Sequence, residues 1–445
     1  MILLATIWEN VNLPQREKLV GQEVADCTVI GAGLAGIMIA AELERRGFGV
    51  VVLEADRVLS GATRGTTAKL TAQHGLIYSR LSQSVSPLAA KLYYESNCEG
   101  VEKIRRLVSE RNIDCDFSDI STALYAREDA SAIYEEMRAM RRICAEGEII
   151  KPKDLPFAVK IALEMKNQAQ FHPLKFAGAL SKSLKIYEKS PVVSLEDGKV
   201  TTPEGNVRTN YIICATHYPF LNVPGFYFLR QHQYRSYAIA LSGCRKPGRA
   251  YLGIDDNLSI RSFGEGVILG GMGHRTGYNR KGGCYMKLLA AARSYYPDSK
   301  VVTCWSNQDV ITHDGLPFIG RYSVFSPRMF VATGFNKWGM SLSSVASSLI
   351  PDLICGAENR YESLYSPKRF NLKAAAVPFF EDAAHAVAGI SRGMFSKREE
   401  RCTHLGAKLQ LNRDDGTLEC PCHGSEFSCG GKVRFSPAVR DVKVK

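Results

Sequence analysis

No stretch of this 445-residue chain stays apolar for the ~18 residues that a membrane-crossing helix needs, so no transmembrane segment is expected. The apolar opening, Met1 to Trp8, lacks a basic flank and runs straight into Glu9 and Asn10, which does not read as a secretory signal. Nor do the cysteines form a pairable set: there are 13, an odd number, and nine of them scatter through the first 355 residues. Such scatter is usual for buried thiols in a reducing compartment; it excludes a secreted disulfide scaffold and points to a cytoplasmic location. A one-sided charge block is missing too. Lys and Arg number 57 against 45 Asp and Glu, but the net +12 is spread along the chain, and its densest run, Lys397 to Arg401, mixes both signs. That is a solvated basic surface, and no nucleic-acid partner is expected. Internal repeats are absent. With 45% apolar and 23% charged residues the chain is neither disordered nor fibrous, and its length calls for two or three domains.

What is present begins with a βαβ unit at 24–55. A short apolar strand, Cys27 to Ile30, leads into Gly31-Ala32-Gly33-Leu34-Ala35-Gly36; a helix with apolar residues at 37, 39, 40 and 43 follows; then comes the strand Val50 to Leu53, ending in Glu54, 23 positions after Gly31. Gly31 makes a tight turn, Gly33 lets the backbone touch a pyrophosphate, and Gly36 brings helix against strand. The helix N-terminus favours an anion, and Glu54 can accept from a ribose hydroxyl. The unit therefore predicts a dinucleotide site on Gly31, Ala32, Gly33, Ala35, Gly36, Glu54 and Ala55. Helical text runs from about 84 to 147. Short β-type runs with turns at Asp197-Gly198 and Glu204-Gly205 end in an apolar strand at 211–215, more strand-like text reaches about 275, and a helix is expected at 284–295.

Four ordered motifs narrow the nucleotide. The Gly/Thr-rich run Ser60 to Lys69 resembles the flavin-facing segment of the D-amino-acid oxidase and glycine oxidase superfamily. Tyr211 to Thr216, Thr312 to Gly320 and Phe330 to Asn336 resemble its later strand and closing motifs. The resemblance covers about residues 20–355 and implies tightly but non-covalently held FAD, with Thr63, Thr66, Thr67 and Gly334 joining the cofactor site. Flanking it, His74 and Gln73 could line the substrate side of the ring. His217 and Trp338 lie in motifs expected near the flavin and read more readily as packing. Arg261 and Arg275 fall in the expected substrate sheet, where relatives hold a carboxylate with an arginine; neither is assigned that role, and the catalytic residues stay unknown.

The last four cysteines crowd into 28 residues. Cys402, His404, Cys420 and His423 form Cys-x-His, fifteen residues, Cys-x-x-His, which suits either tetrahedral zinc or a [2Fe-2S] cluster with two Cys on one iron and two His on the other. Cys402 to Gly406 and Cys420 to Ser425 resemble the two cluster loops of Rieske proteins, implying the second. In that resemblance Ala407 stands where high-potential members carry a cysteine that pairs with the position of Cys422. Cys422 could then meet Cys429 or stay a thiol. Ser425 keeps a hydroxyl for a bridging sulfide, and Phe427 lacks the one that some relatives aim at a ligand sulfur. Only about 50 residues follow residue 395, with no obvious strands before the first loop, so the domain reads as short and its cluster as labile. Residues 67–78 and 171–175 look like bacterial flavoproteins that carry such a C-terminal domain; that likeness supplies no substrate.

The expected architecture is an α/β FAD-binding, Rossmann-like domain interleaved with an α+β substrate domain, plus a small all-β Rieske-type domain. The FAD-binding parts fall at 1–83, 189–222 and 301–355, the substrate parts at 84–188 (a helical insertion) and 223–300 (a sheet), a linker at 356–395, and the Rieske domain at 396–445. The function expected is a flavin-dependent oxidoreductase that takes a hydride from an amine or amino acid and releases electrons singly through the cluster to a protein or quinone. Reversed electron flow and a non-catalytic redox sensor are the alternatives.

Overall fold

The computed structural model describes residues 5–397 and 400–443; Met1 to Leu4 of the apolar opening, Arg398 and Glu399 of the charged run, and the last two residues lie outside the described set. The dinucleotide unit is built on a sheet in the order Phe318–Arg321, Met329–Thr333, Gly205–Cys214, Gly21–Ile30, Val50–Leu53, Ile186–Tyr187. Its central strands run parallel and read as continuous apolar text, because both faces are covered, one by helices and the other by Leu19, Val192, Val200, Tyr227 and Tyr322. Helix Leu34–Arg45 packs on this sheet through Ile37, Met38, Ile39, Ala40 and Leu43, each buried, at roughly 1.5–3 kcal/mol for each large side chain removed from water. Helix Gly339–Ile354 lies alongside it and is buried along most of its length.

A second, mixed sheet follows the order Lys300–Thr312, Gln231–Ser242, Gly266–Arg275, Ser259–Phe263, Arg249–Gly253, Ser118–Ala126, Ile161–Gln170, Lys69–Leu70. Two expectations change here. Residues 84–147 are not helical throughout. The strand Ser118–Ala126 separates helices Pro87–Glu110 and Ser131–Arg142, because it is paired on both sides, antiparallel to Ile161–Gln170 and parallel to Arg249–Gly253. The sheet also continues past residue 300: Lys300–Thr312 pairs along its whole length with Gln231–Ser242, a partner too distant in sequence for local patterning to reveal.

Most of 356–395, the expected linker, is occupied by the 23-residue helix Leu372–Met394, capped by the Asn371 side chain accepting from the Ala374 N–H. Its Ala386 and Ile390 pack on a small C-terminal core of Cys402, Ala407, Leu409, Cys420, Cys422, Phe427, Ala438 and Val442. That core sits on a four-stranded antiparallel sheet, Gln410–Asn412, Thr417–Glu419, Glu426–Phe427 and Val433–Phe435. No helix among the described residues is long and apolar enough to cross a membrane.

Candidate functional site

At the dinucleotide cradle the three glycines have separate jobs. Gly31 holds φ +104° and a Cβ there would lie 2.6 Å from the Ala215 carbonyl oxygen, so only glycine makes this turn beside the neighbouring strand. A Cβ on Gly36 would lie 1.9 Å from the Gly31 carbonyl oxygen, which is how closely helix and turn approach. Gly33 is different: its backbone is extended, and a Cβ would meet only the Thr63 hydroxyl, at 3.5 Å. The space in front of it is open. Thr63 accepts from the Leu34 N–H (3.0 Å), and Glu54 accepts from the N–H groups of Ala32 (2.8 Å) and Asp56 (2.9 Å). Burial pushes the Glu54 carboxyl up, with those N–H donors opposing. Ala35 lies in the first turn of the helix and Ala55 follows Glu54.

Thr66 and Thr67 lie in a loop fixed by its backbone. The Thr66 carbonyl accepts from the Trp8 indole, and the carbonyls of Thr67 and Ala68 accept from Arg261 (2.8 and 2.6 Å). Arg261 is buried, with its guanidinium lowered to about 9 by desolvation, so it clamps the cofactor loop rather than facing a substrate. Gly334, at φ +71°, packs against the Thr312 methyl, and Asn336 bridges the two motifs by accepting from the Thr312 N–H (2.9 Å) and donating to the Gly334 carbonyl (2.8 Å). Around this space the buried amide of Gln231 and Nε2 of His217 have no hydrogen-bond partner among the described residues. Unsatisfied buried polar groups are rare; with the open cradle at Gly33 they fit a bound dinucleotide. Lys69, lowered to about 7 by burial and by the nearby cations Arg261 and Lys337, meets the Ser259 hydroxyl.

Next to these motifs lies a cavity of about 260 Å³ lined by His74, Arg80, Tyr93, Ile311, Asn336 and Trp338 among others. His74 stacks on Trp338 (4.4 Å between ring centres); its Nδ1 meets the Tyr93 hydroxyl and its Nε2 the Thr71 carbonyl, both at 2.7 Å. Burial lowers it to about 3, so it is a neutral, tethered wall. Gln73 turns away, donating to the Leu163 carbonyl and accepting from Thr122. The cation at this cavity is Arg80, which makes no ion pair among the described residues and was not singled out from sequence; no motif marks it.

In the C-terminal unit the two loops share one geometry. Gly406 N–H donates to the Cys402 carbonyl and Gly424 N–H to the Cys420 carbonyl, both at 2.9 Å, with both glycines at φ near +80°. They bring Cys402, His404, Cys420 and His423 together. The Cys402 thiol hydrogen-bonds Cys420, which holds Cys402 up and Cys420 down and leaves one thiolate ready for a cation. The rings lie 5.0 Å apart between centres; burial and the nearby His423 lower His404 to about 4, and burial with the nearby Arg275 lowers His423. The buried Nδ1 of each histidine has no hydrogen-bond partner among the described residues, while Nε2 of His404 donates to Asn222 (2.6 Å). Two bare imidazole nitrogens and a thiol–thiolate pair converging on one space fit a two-Cys, two-His metal centre. Cys422 does not pair with Cys429. Its thiol meets the Ala386 carbonyl (3.5 Å), whereas Cys429 is exposed and donates to the Gly416 carbonyl.

Arg275 turns out to tie this unit to the body: it ion-pairs with Asp382 and donates to the Cys422 carbonyl (3.2 Å). Asp382 also receives His313 Nε2 (2.7 Å) and His232 Nδ1 (3.1 Å). Arg235, 3% exposed, meets three carboxylates of the small unit, Asp415, Glu419 and Glu426.

The FAD dependent oxidoreductase family model matches residues 26–353, and the Rieske [2Fe-2S] domain model matches 373–444, thus including the helix Leu372–Met394 almost entirely. YhfW of Bacillus subtilis (strain 168), described as a Rieske 2Fe-2S iron-sulfur protein, is 35% identical over 492 aligned positions, covering 98% of this chain and 97% of that one. Against the 445 residues here, 492 positions leave at least 47 that only YhfW fills. Gamma-glutamylputrescine oxidoreductase of Escherichia coli (strain K12) is 25% identical over 205 residues, 43% of this chain and 48% of its own. In fold, the solved structure of glycine oxidase from Geobacillus kaustophilus superposes with a TM-score of 0.67 at 20% identity, covering 78% of this chain and 99% of that one.

Proposed function

The chain belongs to the FAD dependent oxidoreductase family and carries a Rieske [2Fe-2S] domain, and on that premise we propose that it oxidises a C–N bond of a carboxylate-bearing amine and sends the electrons out through the cluster. The observation that carries this reading is Arg80, a cation without an ion pair among the described residues, at the mouth of a cavity walled by Trp338 and the neutral His74. A guanidinium there would take a substrate carboxylate in a two-pronged hydrogen bond and so fix which C–H faces the ring. Bound FAD supplies a two-electron acceptor. The residues contribute position: Glu54 and the Gly33 cradle would hold the dinucleotide, and Arg261 fixes the loop carrying Thr66 and Thr67. Cys402 and Cys420 would hold one iron, His404 and His423 the other. The names of gamma-glutamylputrescine oxidoreductase and glycine oxidase agree with an amine or amino acid substrate. The electron acceptor at the cluster would be a small carrier protein or a quinone.

Anaerobic titration of the holoprotein with a panel of amino acids, N-substituted amino acids and amines tests this, with bleaching of the flavin as the readout. Arg80→Gln should raise KM for acids by at least tenfold while leaving their amides unaffected, a carboxylate pair of this kind being worth about 1.5–3 kcal/mol. If no member of the panel bleaches the flavin, yet an electron donor reduces it by way of the cluster, electrons flow the other way and the protein is a reductase.

A further inference from the structure

The histidine side of the four-residue centre faces inward. His404 Nε2 donates to the Asn222 side chain (2.6 Å), and His423 hydrogen-bonds the backbone carbonyl of Phe228. The Phe228 ring stands edge-on to both imidazoles, at 6.5 and 5.8 Å. Asn222 and Phe228 belong to the flavin body, in the loop that follows the strand Gly205–Cys214. Ala215, just after that strand, is the residue against which Gly31 turns. The same segment receives the small unit directly: Ser436 donates to the Tyr218 carbonyl (2.9 Å).

The contact surface leaves no room for sliding. A Cβ on Gly424 would lie 2.4 Å from the Gln233 side chain, and one on Gly277 would lie 2.5 Å from the Pro421 backbone. Gln233 donates to the carbonyls of His423 (2.9 Å) and Ser436 (2.7 Å), and Gln308 donates to that of Gly424 (2.6 Å). Separating the units would strip Arg235 from Asp415 and the buried Glu419 and Glu426, and Asp382 from Arg275, His232 and His313. Breaking buried pairs of this kind is strongly unfavourable.

We propose that the histidine side of the cluster is permanently docked on the loop Asn222 to Leu229, with Asn222 as its positioning residue, so that electrons cross between flavin and cluster without domain motion. The inference rests on the flavin–Rieske reading above. With both groups bound, each crossing would take one electron from reduced flavin and the cluster would accept it at one ferric ion. The flavin proton passes to solvent, and an external one-electron acceptor re-oxidises the cluster before the second electron follows. Asn222 acts through His404. By accepting the hydrogen bond from Nε2–H, the amide oxygen would make the imidazole a stronger electron donor at Nδ1, which favours the oxidised cluster.

The test uses the anaerobic full-length holoprotein, first assayed for FAD, iron and sulfide. The flavin is reduced by a light flash and the cluster's bleaching is timed in buffer and in glycerol of rising viscosity. The rate is expected to be independent of viscosity and of protein concentration; a rate that falls in proportion to viscosity overturns the docking, because it requires a moving unit. Asn222→Leu should raise the cluster's midpoint potential, shift its electron-spin signature and slow the crossing on the order of tenfold, at unchanged FAD content. Asn222→Asp, with an anionic acceptor, should move the potential the other way. Unchanged potential in both variants removes Asn222 from the role. Iron and sulfide absent from the starting protein would instead overturn the flavin–Rieske reading itself.

Discussion

Replacing Gly33 by alanine separates cofactor binding from folding. Its φ of −77° and ψ of 179° suit any residue, and the new methyl would find only the Thr63 hydroxyl, 3.5 Å away. The FAD-free polypeptide should therefore lose nothing, and it should gain about 0.4–1 kcal/mol from the reduced freedom of the unfolded chain. The methyl does occupy the approach of the pyrophosphate. A ligand present at a hundredfold over its Kd stabilises a protein by about 2.7 kcal/mol, and the variant should forfeit at least that amount whenever FAD is present. The assay is paired thermal unfolding of FAD-free and FAD-supplemented protein, with released flavin quantified after denaturation. The parent should melt higher with FAD, while Gly33→Ala should melt alike with and without it, at or slightly above the FAD-free parent. Gly36→Ala is the control. Its Cβ would sit 1.9 Å from the Gly31 carbonyl oxygen, so it should lose about 1–3 kcal/mol or more in both conditions. Stoichiometric FAD in purified Gly33→Ala, or a FAD-free variant melting well below its parent, refutes the division of labour among these glycines.

Arg235→Met leaves Asp415, Glu419 and Glu426 without their shared cation, and it should weaken the docked unit by roughly 3–5 kcal/mol; faster protease release of the C-terminal unit is the measurement, and unchanged resistance counts against the network. Asp382 is buried, which opposes its charge, yet hydrogen bonds from His232 and His313 and the nearby Arg275 hold its carboxyl well below the ordinary range. A depressed carboxylate contributes stability above its unfolded value of about 3.9 that is lost as pH falls toward the folded one. The parent's docking should thus loosen in acid below about pH 4, and Asp382→Asn should lack that component of the pH profile and start from a looser state at neutral pH. Among the thiols, exposed Cys429 should be alkylated in the folded protein. Cys422, held up by its hydrogen bond to Cys420 and by burial, should react only after unfolding; mass spectrometry of tryptic peptides distinguishes the two.

What could be read from sequence was local. Gly31, Gly33 and Gly36 act within one turn, and the Cys-His loops at 402–406 and 420–425 carry their geometry in consecutive residues, so spacing alone exposed both centres. The strand Ser118–Ala126 escaped because its partners at 161–170 and 249–253 decide its state, against helical text on both sides. Arg80 sits in a helix with nothing to set it apart from a surface arginine until the fold brings Trp338 and Asn336 to it. Asn222 and Asp382 are likewise ordinary polar residues until contacts 182 and 69–150 positions away give them work. Arg261 and Arg275 were visible as candidates, but burial and long-range partners made one a loop clamp and the other an inter-unit tie.

The inward-facing histidines also bear on how the protein is made. A carrier that delivers a preformed iron–sulfur cluster must reach the four side chains, exchanging one ligand after another. In the closed molecule Cys402, Cys420 and His423 are each at most 3% exposed, and the ring of His404 is fastened to the body. Loading therefore has to precede closure, and the body must already have folded its Asn222 to Leu229 loop to receive the filled unit. Maturation would follow an order of flavin body, then cluster, then docking. Chains made when iron is scarce would close around an empty pocket and become refractory to later repair.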